Sequence, residues 1–189
     1  MNITINKLNK LQRYKKCTDR ATIKNIMDTL TPSQRHNAMS HIRSTNSIPE
    51  RTVRSALHGI GFRFRKNDRR YPGTPDIVLP HYHAVIFVNG CFWHGHGLVT
   101  QTATARTTKR TCQYARLPKT NTAFWQAKIE RNKERDRKEI EQLLAEGWRV
   151  CVVWECAITG KNRASKIKDV SEKISLWLEE GFDEPYFEI

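Results

Sequence analysis

The stretch Ala84-Val85-Ile86-Phe87-Val88-Asn89-Gly90-Cys91-Phe92-Trp93-His94-Gly95-His96 joins an unbroken apolar run to a segment dense in aromatic, thiol and imidazole groups. Ala84–Val88 reads as a strand apolar on both faces, and so as an interior strand of a sheet covered on two sides. Immediately upstream, Asp76-Ile77-Val78-Leu79 is a second strand, introduced by the turn Tyr71-Pro72-Gly73-Thr74-Pro75. Phe62 to Arg65 reads as another. Ahead of the strands, Thr31-Pro32-Ser33-Gln34 and Ser47-Ile48-Pro49-Glu50 are helix starts: a hydroxyl cap, a proline in the first turn, and Gln or Glu three residues after the cap. The first helix is expected to reach about Ser40. The second places Val53, Ala56, Leu57 and Ile60 on one face and stops at Gly59 and Gly61. Downstream, Thr120, Asn121 or Thr122 caps a long helix running to about Ala145, with Gly147 as its stop. Arg149–Glu155 is a buried strand, and Ile167, Val170, Ile174, Trp177 and Leu178 mark one face of a last helix. The order ααβββαβα predicts an α/β fold, a small central mixed sheet with helices packed on it.

Charge narrows the function classes. Among 189 residues, 33 Lys+Arg against 19 Asp+Glu give +14, and the pI is near 9.9. A polyanion is the expected partner, nucleic acid ahead of a membrane surface. No run approaches the ~18 apolar residues of a membrane span, and the N-terminus lacks the apolar core of a secretory signal. We therefore expect a cytoplasmic protein, nucleoid-associated when bound, with no membrane partner. Residues 1–26 hold seven Lys and Arg (Lys7, Lys10, Arg13, Lys15, Lys16, Arg20, Lys24) against Asp19 alone, and read as a basic arm ahead of a single domain, 27–189.

Three features carry chemistry. Asp76 opens an apolar strand, where a carboxylate is costly unless it caps the turn, is paired or binds a metal; the turn-cap and metal readings both stand on the residues alone. An antiparallel pairing through the short Pro80–His83 connection would bring it close to residues 88–90. His94 and His96, with Phe92 and Trp93 beside them, follow a buried strand, where the aromatics either pack under the loop or face a partner. Cys91, His96, Cys112 and Cys156 are three thiols and an imidazole, a common structural-zinc set, although without a Cys-x-x-Cys knuckle ordinary buried thiols remain the alternative. Cys151, within a strand, reads as a small core residue.

Taken together, Pro72-Gly73-x-Pro75-Asp76, Val85-Ile86-Phe87, Gly90-Cys91-Phe92-Trp93-His94-x-His96, Pro118, Phe124-Trp125, Asn132, Arg135-Asp136-Arg137, Gly147-Trp148-Arg149-Val150 and Val153-Trp154-Glu155-Cys156 resemble the very short patch repair endonucleases, in unbroken order over residues 32–180. The resemblance implies a restriction-endonuclease-like fold with a structural zinc site, and a single-strand nick beside the thymine of a T:G mismatch in double-stranded DNA. Such mismatches arise by deamination of 5-methylcytosine, which links the activity to a cytosine-5 DNA methyltransferase. It further implies that Asp76 and the backbone carbonyl of Val88 bind Mg²⁺, that His94 is the catalytic histidine oriented by Asp136, and that Glu50 touches a second metal through water. Cys91, His96, Cys112 and Cys156 match the zinc ligands, and Phe92, Trp93 and Trp125 the aromatic wedge that enters the DNA stack. On the residues alone Asp136 also fits an ordinary solvated helix face, and Glu50 also fits a capping box with Ser47.

Two departures stand out. Asn89 occupies a position where the family's pattern has a second active-site histidine; Asn can donate a hydrogen bond to a phosphate oxygen but cannot shuttle a proton. His96 and Cys112 are separated by the fifteen residues 97–111 where the pattern has them nearly adjacent, so this stretch reads as an inserted loop, whose Arg106, Lys109 and Arg110 suit added phosphate contacts. The competing expectations are a nicking endonuclease of relaxed or different mismatch specificity and a catalytically silent, zinc-containing mismatch-binding module. A monomer is expected.

Overall fold

The computed structural model describes Thr31, Ser33, Gln34, Asn37, Ser40 and residues 45–98, 112–180 and 184–189. The basic arm 1–26 and nearly all of the inserted stretch lie outside the described residues. The chain divides into two units, Met1–Ser44 and Thr45–Ile189. In the first, the helix start at Thr31 has reciprocal caps: the Gln34 amide donates to Thr31 Oγ1 and the Thr31 amide to Gln34 Oε1, at 3.2 and 3.0 Å.

The second unit is a five-stranded mixed sheet with helices. Its elements are α1 (Ile48–Gly59), β1 (Arg65–Lys66), β2 (Ile77–Leu79), β3 (Ala84–Asn89), α2 (Thr122–Ala145), β4 (Arg149–Trp154), α3 (Glu155–Ile158), α4 (Arg163–Glu179) and β5 (Tyr186–Glu188), and the strands lie in the order β1-β2-β3-β4-β5. β1, β2 and β3 run antiparallel in turn, whereas β3, β4 and β5 are parallel. The tight Pro80–Tyr82 turn, closed by the His83 amide on the Pro80 carbonyl, suffices for the antiparallel step from β2 to β3. The parallel step from β3 to β4 needs a crossover, and α2 supplies it.

Strand alternation divides the core into two layers. Ile77, Leu79, Ala84, Ile86, Val88, Cys151 and Val153 face one way and pack with Val53 and Leu57 of α1 and Val170, Ile174, Trp177 and Leu178 of α4. Val78, Val85 and Val150 face the other way and pack with Leu143 of α2, with Phe87 partly buried beside them. Interior strands covered on both faces are what the unbroken apolar runs require.

The structure corrects several boundaries. Phe62 is buried but lies outside the strand, which is only Arg65–Lys66, because the Phe62 amide is taken up in closing α1 on the Leu57 carbonyl. Ile60 is not on the buried face of α1; it is the C-cap and is exposed. Asn121 caps α2 in a left-handed conformation without a side-chain bond, and Thr122 Oγ1 instead donates to the Pro118 carbonyl. Glu155 leaves β4 and begins the short α3. β5 was not anticipated: three residues of mixed polarity carry too little periodicity to read as a strand. Among the described residues no helix is long and apolar enough to cross a membrane.

Candidate active site and metal centre

Asp76 sits where β2 begins, and β3 outruns β2 at that end, because Ile77 pairs with Ile86 while β3 continues to Asn89. The Val88 amide, with no β2 backbone partner left, donates instead to Asp76 Oδ2 at 2.7 Å. N–H and C=O of one strand residue point to the same side, so the Val88 carbonyl faces this edge too. The other carboxylate oxygen accepts from Asn67 Nδ2 at 3.4 Å, and Asn67 Oδ1 accepts from Arg54 NH1 at 2.9 Å. Burial, with the charge of Glu50 adding to it, pushes the Asp76 carboxyl up to about 7 against the Val88 bond and the charge of Arg54.

Glu50 is buried, and its carboxylate is already well supplied. It accepts from the Asn46 amide (2.7 Å), the Ser47 amide (3.1 Å) and Arg54 NH2 (3.0 Å), while Ser47 Oγ accepts from the Glu50 amide. The capping box and a place beside Asp76 are therefore compatible: Glu50 caps α1 and still acts electrostatically on Asp76. Arg54 and Asn67 complete this network, and reasoning from sequence passed over both. The i,i+4 spacing of Glu50 and Arg54 was the available signal, but on an isolated helix it reads as a surface pair.

His94 lies in the turn that follows β3. Its amide donates to the Gly90 carbonyl at 3.1 Å, and the His96 amide donates to the Cys91 carbonyl at 2.9 Å. This turn is clamped on α2, where Asn132 Nδ2 donates to the Trp93 carbonyl at 2.9 Å. Gly95, at φ +64°, approaches so closely that a Cβ would stand 2.7 Å from Ile129. The clamp sets His94 Nδ1 2.5 Å from Asp136 Oδ2, and Asp136 Oδ1 accepts from Arg135 NH2 at 2.9 Å. Burial opposes ionisation of Asp136, yet the bond and charge of His94, with Arg135, hold its carboxyl below the ordinary value. Asp136 is thus no member of a solvated face. Asn89, buried in β3, alternates onto the same face as Val85 and Phe87, the one α2 covers.

Aromatic rings form a patch beside this turn. Phe92, Trp93 and Trp125 are in mutual contact, with centroids 5.1, 5.3 and 6.0 Å apart, and Lys128 Nζ lies 5.6 Å from both indole centroids. Phe124 extends the patch at 5.4 Å from Trp125 and is 47% exposed. Phe124 was read from sequence only as part of the Phe124-Trp125 family pattern, and Lys128 was not singled out.

The ligand atoms of Cys91, His96, Cys112 and Cys156 all lie within 4.8 Å of one another. His96 Nδ1 is 3.6 Å from Cys91 Sγ and 3.4 Å from Cys156 Sγ, so Nδ1 is the nitrogen turned to the cluster. Tetrahedral zinc with Zn–S ~2.3 Å and Zn–N ~2.0 Å requires ligand edges of about 3.5–3.8 Å; the two His96 edges match, and the other ligand atoms lie within 4.8 Å. Burial pushes the Cys91 and Cys156 thiols up, and neighbouring Cys112 adds to this, a crowding of thiols that a divalent cation would relieve.

In metal-free solution the raised Asp76 carboxyl has a testable sign. Between its ordinary value of 3.8 and about 7, the unfolded chain ionises Asp76 while the folded chain keeps it protonated. Asp76 stability is therefore present at low pH and lost as pH rises to about 7. In Mg²⁺-free buffer, Asp76→Asn is expected to gain melting temperature relative to wild type from pH 4 to 7, then level off. Parallel curves would refute this.

A family model described as DNA mismatch endonuclease Vsr matches residues 27–100. The chain is 46% identical over 134 residues to Type II nicking enzyme V.XorIIP of Xanthomonas oryzae pv. oryzae, covering 71% of this chain and 88% of the relative. It is 44% identical over 136 residues to Type II nicking enzyme V.NmeAIP of Neisseria meningitidis, covering 72% and 87%. With DNA mismatch endonuclease Vsr of Escherichia coli it shares 36% identity over 153 residues, 81% of this chain and 88% of that one. At that identity and coverage, the chain belongs to the Vsr family of DNA mismatch endonucleases.

Proposed function

We propose that this protein is an Mg²⁺-dependent endonuclease of restriction-endonuclease-like fold that nicks one strand of duplex DNA beside the thymine of a T:G mismatch, working as a monomer after deamination of a methyltransferase product. The observation that carries the reading is the 2.5 Å bond between His94 Nδ1 and Asp136 Oδ2, in a turn that directly continues the strand bonded to Asp76.

Asp76 and the Val88 carbonyl hold Mg²⁺, with Glu50 adding negative charge behind them. When bound, the ion offsets charge developing on the phosphate. Asp136 fixes the His94 ring and keeps the Nδ1 proton, which leaves Nε2 to move a proton at the attacking water or leaving oxygen. Asn89 donates to a phosphate oxygen. Phe92, Trp93 and Trp125 enter the base stack, at a cost of a few kcal/mol that a mismatch already lowers. Cys91, His96, Cys112 and Cys156 hold one structural zinc, which pins the turn carrying His94.

Incubation with Mg²⁺ and duplexes carrying each mismatch tests the reading, with nicking beside T of T:G as the expected outcome. Cleavage of both strands, or of paired and mismatched duplex alike, would sink it. Nicking at another mismatch would instead favour a relative of different specificity. In the same panel, Trp93→Ala is expected to lose roughly 1–3 kcal/mol of stacking on the mismatched duplex and little on the paired one. An equal loss on both would show that Trp93 does not act on the stack. Metal analysis of purified protein is expected to return about one zinc per chain, and its removal by chelation to lower the melting temperature. Metal-free protein of unchanged melting temperature would overturn the zinc assignment.

A further inference from the structure

The His96 ring lies flat against the Trp154 indole, with centroids 4.2 Å apart and planes 4° from parallel. Trp154 ends β4, two residues before Cys156, and its Nε1–H donates to Glu188 Oε1 of β5 at 2.6 Å. Tyr186, also on β5, donates its hydroxyl to Glu188 Oε2 at 3.0 Å. β5 is also paired in parallel with β4, Val150 with Tyr186, Cys151 with Phe187 and Val152 with Glu188, and flanked by the Ile189 amide on the Val152 carbonyl, the Trp154 amide on the Ile189 carbonyl and the Val150 amide on the Pro185 carbonyl. This three-residue edge strand exposes Tyr186 and Glu188, while Phe187 and Ile189 pack partly buried against the core, Phe187 stacked on Trp177 with centroids 6.1 Å apart.

We infer that Trp154 is a positioning residue for the His96 ligand, and that the Trp154–Glu188 bond couples metal loading of the Cys91, His96, Cys112 and Cys156 centre to the docking of β5. The indole limits the rotation of the imidazole about its own axis and so keeps Nδ1 turned toward Cys91 and Cys156. Glu188 fixes the indole in turn. Groups behind a ligand that fix its orientation typically carry 10–100-fold in metal affinity. Coupling is reciprocal: a metal that orders His96 orders Trp154 and hence Glu188, and an undocked β5 loosens the ligand. The inference rests on the zinc reading of the previous section.

Zinc affinity by chelator competition and amide exchange across residues 184–189 test it, using full-length protein. In wild type, stripping zinc is expected to accelerate exchange at Ile189. Trp154→Ala is expected to weaken zinc binding by about 10–100-fold. Trp154→Phe keeps a ring against His96 but has no N–H for Glu188, and Glu188→Ala removes the acceptor. Both are expected to weaken zinc binding only by the few-fold factor by which stripping zinc accelerates Ile189 exchange in wild type, and to exchange at Ile189 alike with and without zinc. If Trp154→Ala binds zinc like wild type, or if exchange at Ile189 ignores zinc in wild type, the inference is overturned while the zinc centre stands. A wild type that binds no zinc overturns both readings. Should Trp154→Ala fail to fold, the Phe and Glu188 variants still decide the coupling.

Discussion

Asp76→Ala is expected to leave no detectable nicking at any usable Mg²⁺ concentration. Asp76 is the carboxylate at the start of β2, bonded to the Val88 amide on the side the Val88 carbonyl also faces, and Glu50 beside it is already bonded to two amides and Arg54. With Asp76 gone, neutral oxygens would have to hold a hard cation that keeps most of its own water, which they do poorly. The fold should tolerate the change better than the chemistry does. Burial and Glu50 make the Asp76 charge costly in metal-free protein, and the side chain gives up one short bond to an amide. The measurement is a Mg²⁺ titration of nicking beside a thermal melt. Activity rescued by high Mg²⁺ would move the metal elsewhere, and a collapsed melt would make Asp76 a structural residue.

His94→Ala is expected to fail differently, losing about 100–10,000-fold in single-turnover rate with the Mg²⁺ dependence unchanged, the range for removal of a general acid or base. Asp136→Asn is expected to fall in the same direction, because an amide in place of the carboxylate no longer fixes the proton on Nδ1 or stabilises a charged ring. The pair should be strongly non-additive: with the ring gone, Asp136 has nothing left to orient. Additive losses, or His94→Ala nicking at the wild-type rate, would remove the pair from catalysis. Asn89→His is the complementary gain experiment at the one position where the family pattern and this chain differ in chemistry.

The interior of the sheet was legible because both faces are covered. Ala84–Val88 and Val150–Trp154 are apolar throughout, and such runs leave few other placements. Edges were not. β1 and β5 are short, carry polar side chains and owe their strand conformation to a neighbour's backbone, which no local pattern records. The same division runs through the site. The spacing of Asp76 and Val88 follows from a tight antiparallel connection and could be read directly. The meeting of His94 with Asp136 bridges 42 positions and depends on how α2 crosses the sheet, so the residues alone left Asp136 on a solvated face. Arg54 and Asn67 were missed because Arg54 matters through its buried pair with Glu50, and Asn67 through its bonds to Arg54 and Asp76, and these partners come together only in the fold.

The stretch between His96 and Cys112 has a consequence for how this chain can change over generations. Both of its ends converge on one cluster, whose ligand atoms lie within 4.8 Å of one another. Lengthening a segment between two fixed anchors costs only about 0.6 kcal/mol per doubling. Additions there leave untouched the turn, clamped by Asn132 and Gly95, that carries His94. The cluster thus works as a staple that isolates chemistry from length. Natural variants should accept insertions, deletions and altered charge between these anchors far more readily than between Gly90 and His96, where a single added residue would rotate His94 away from Asp136.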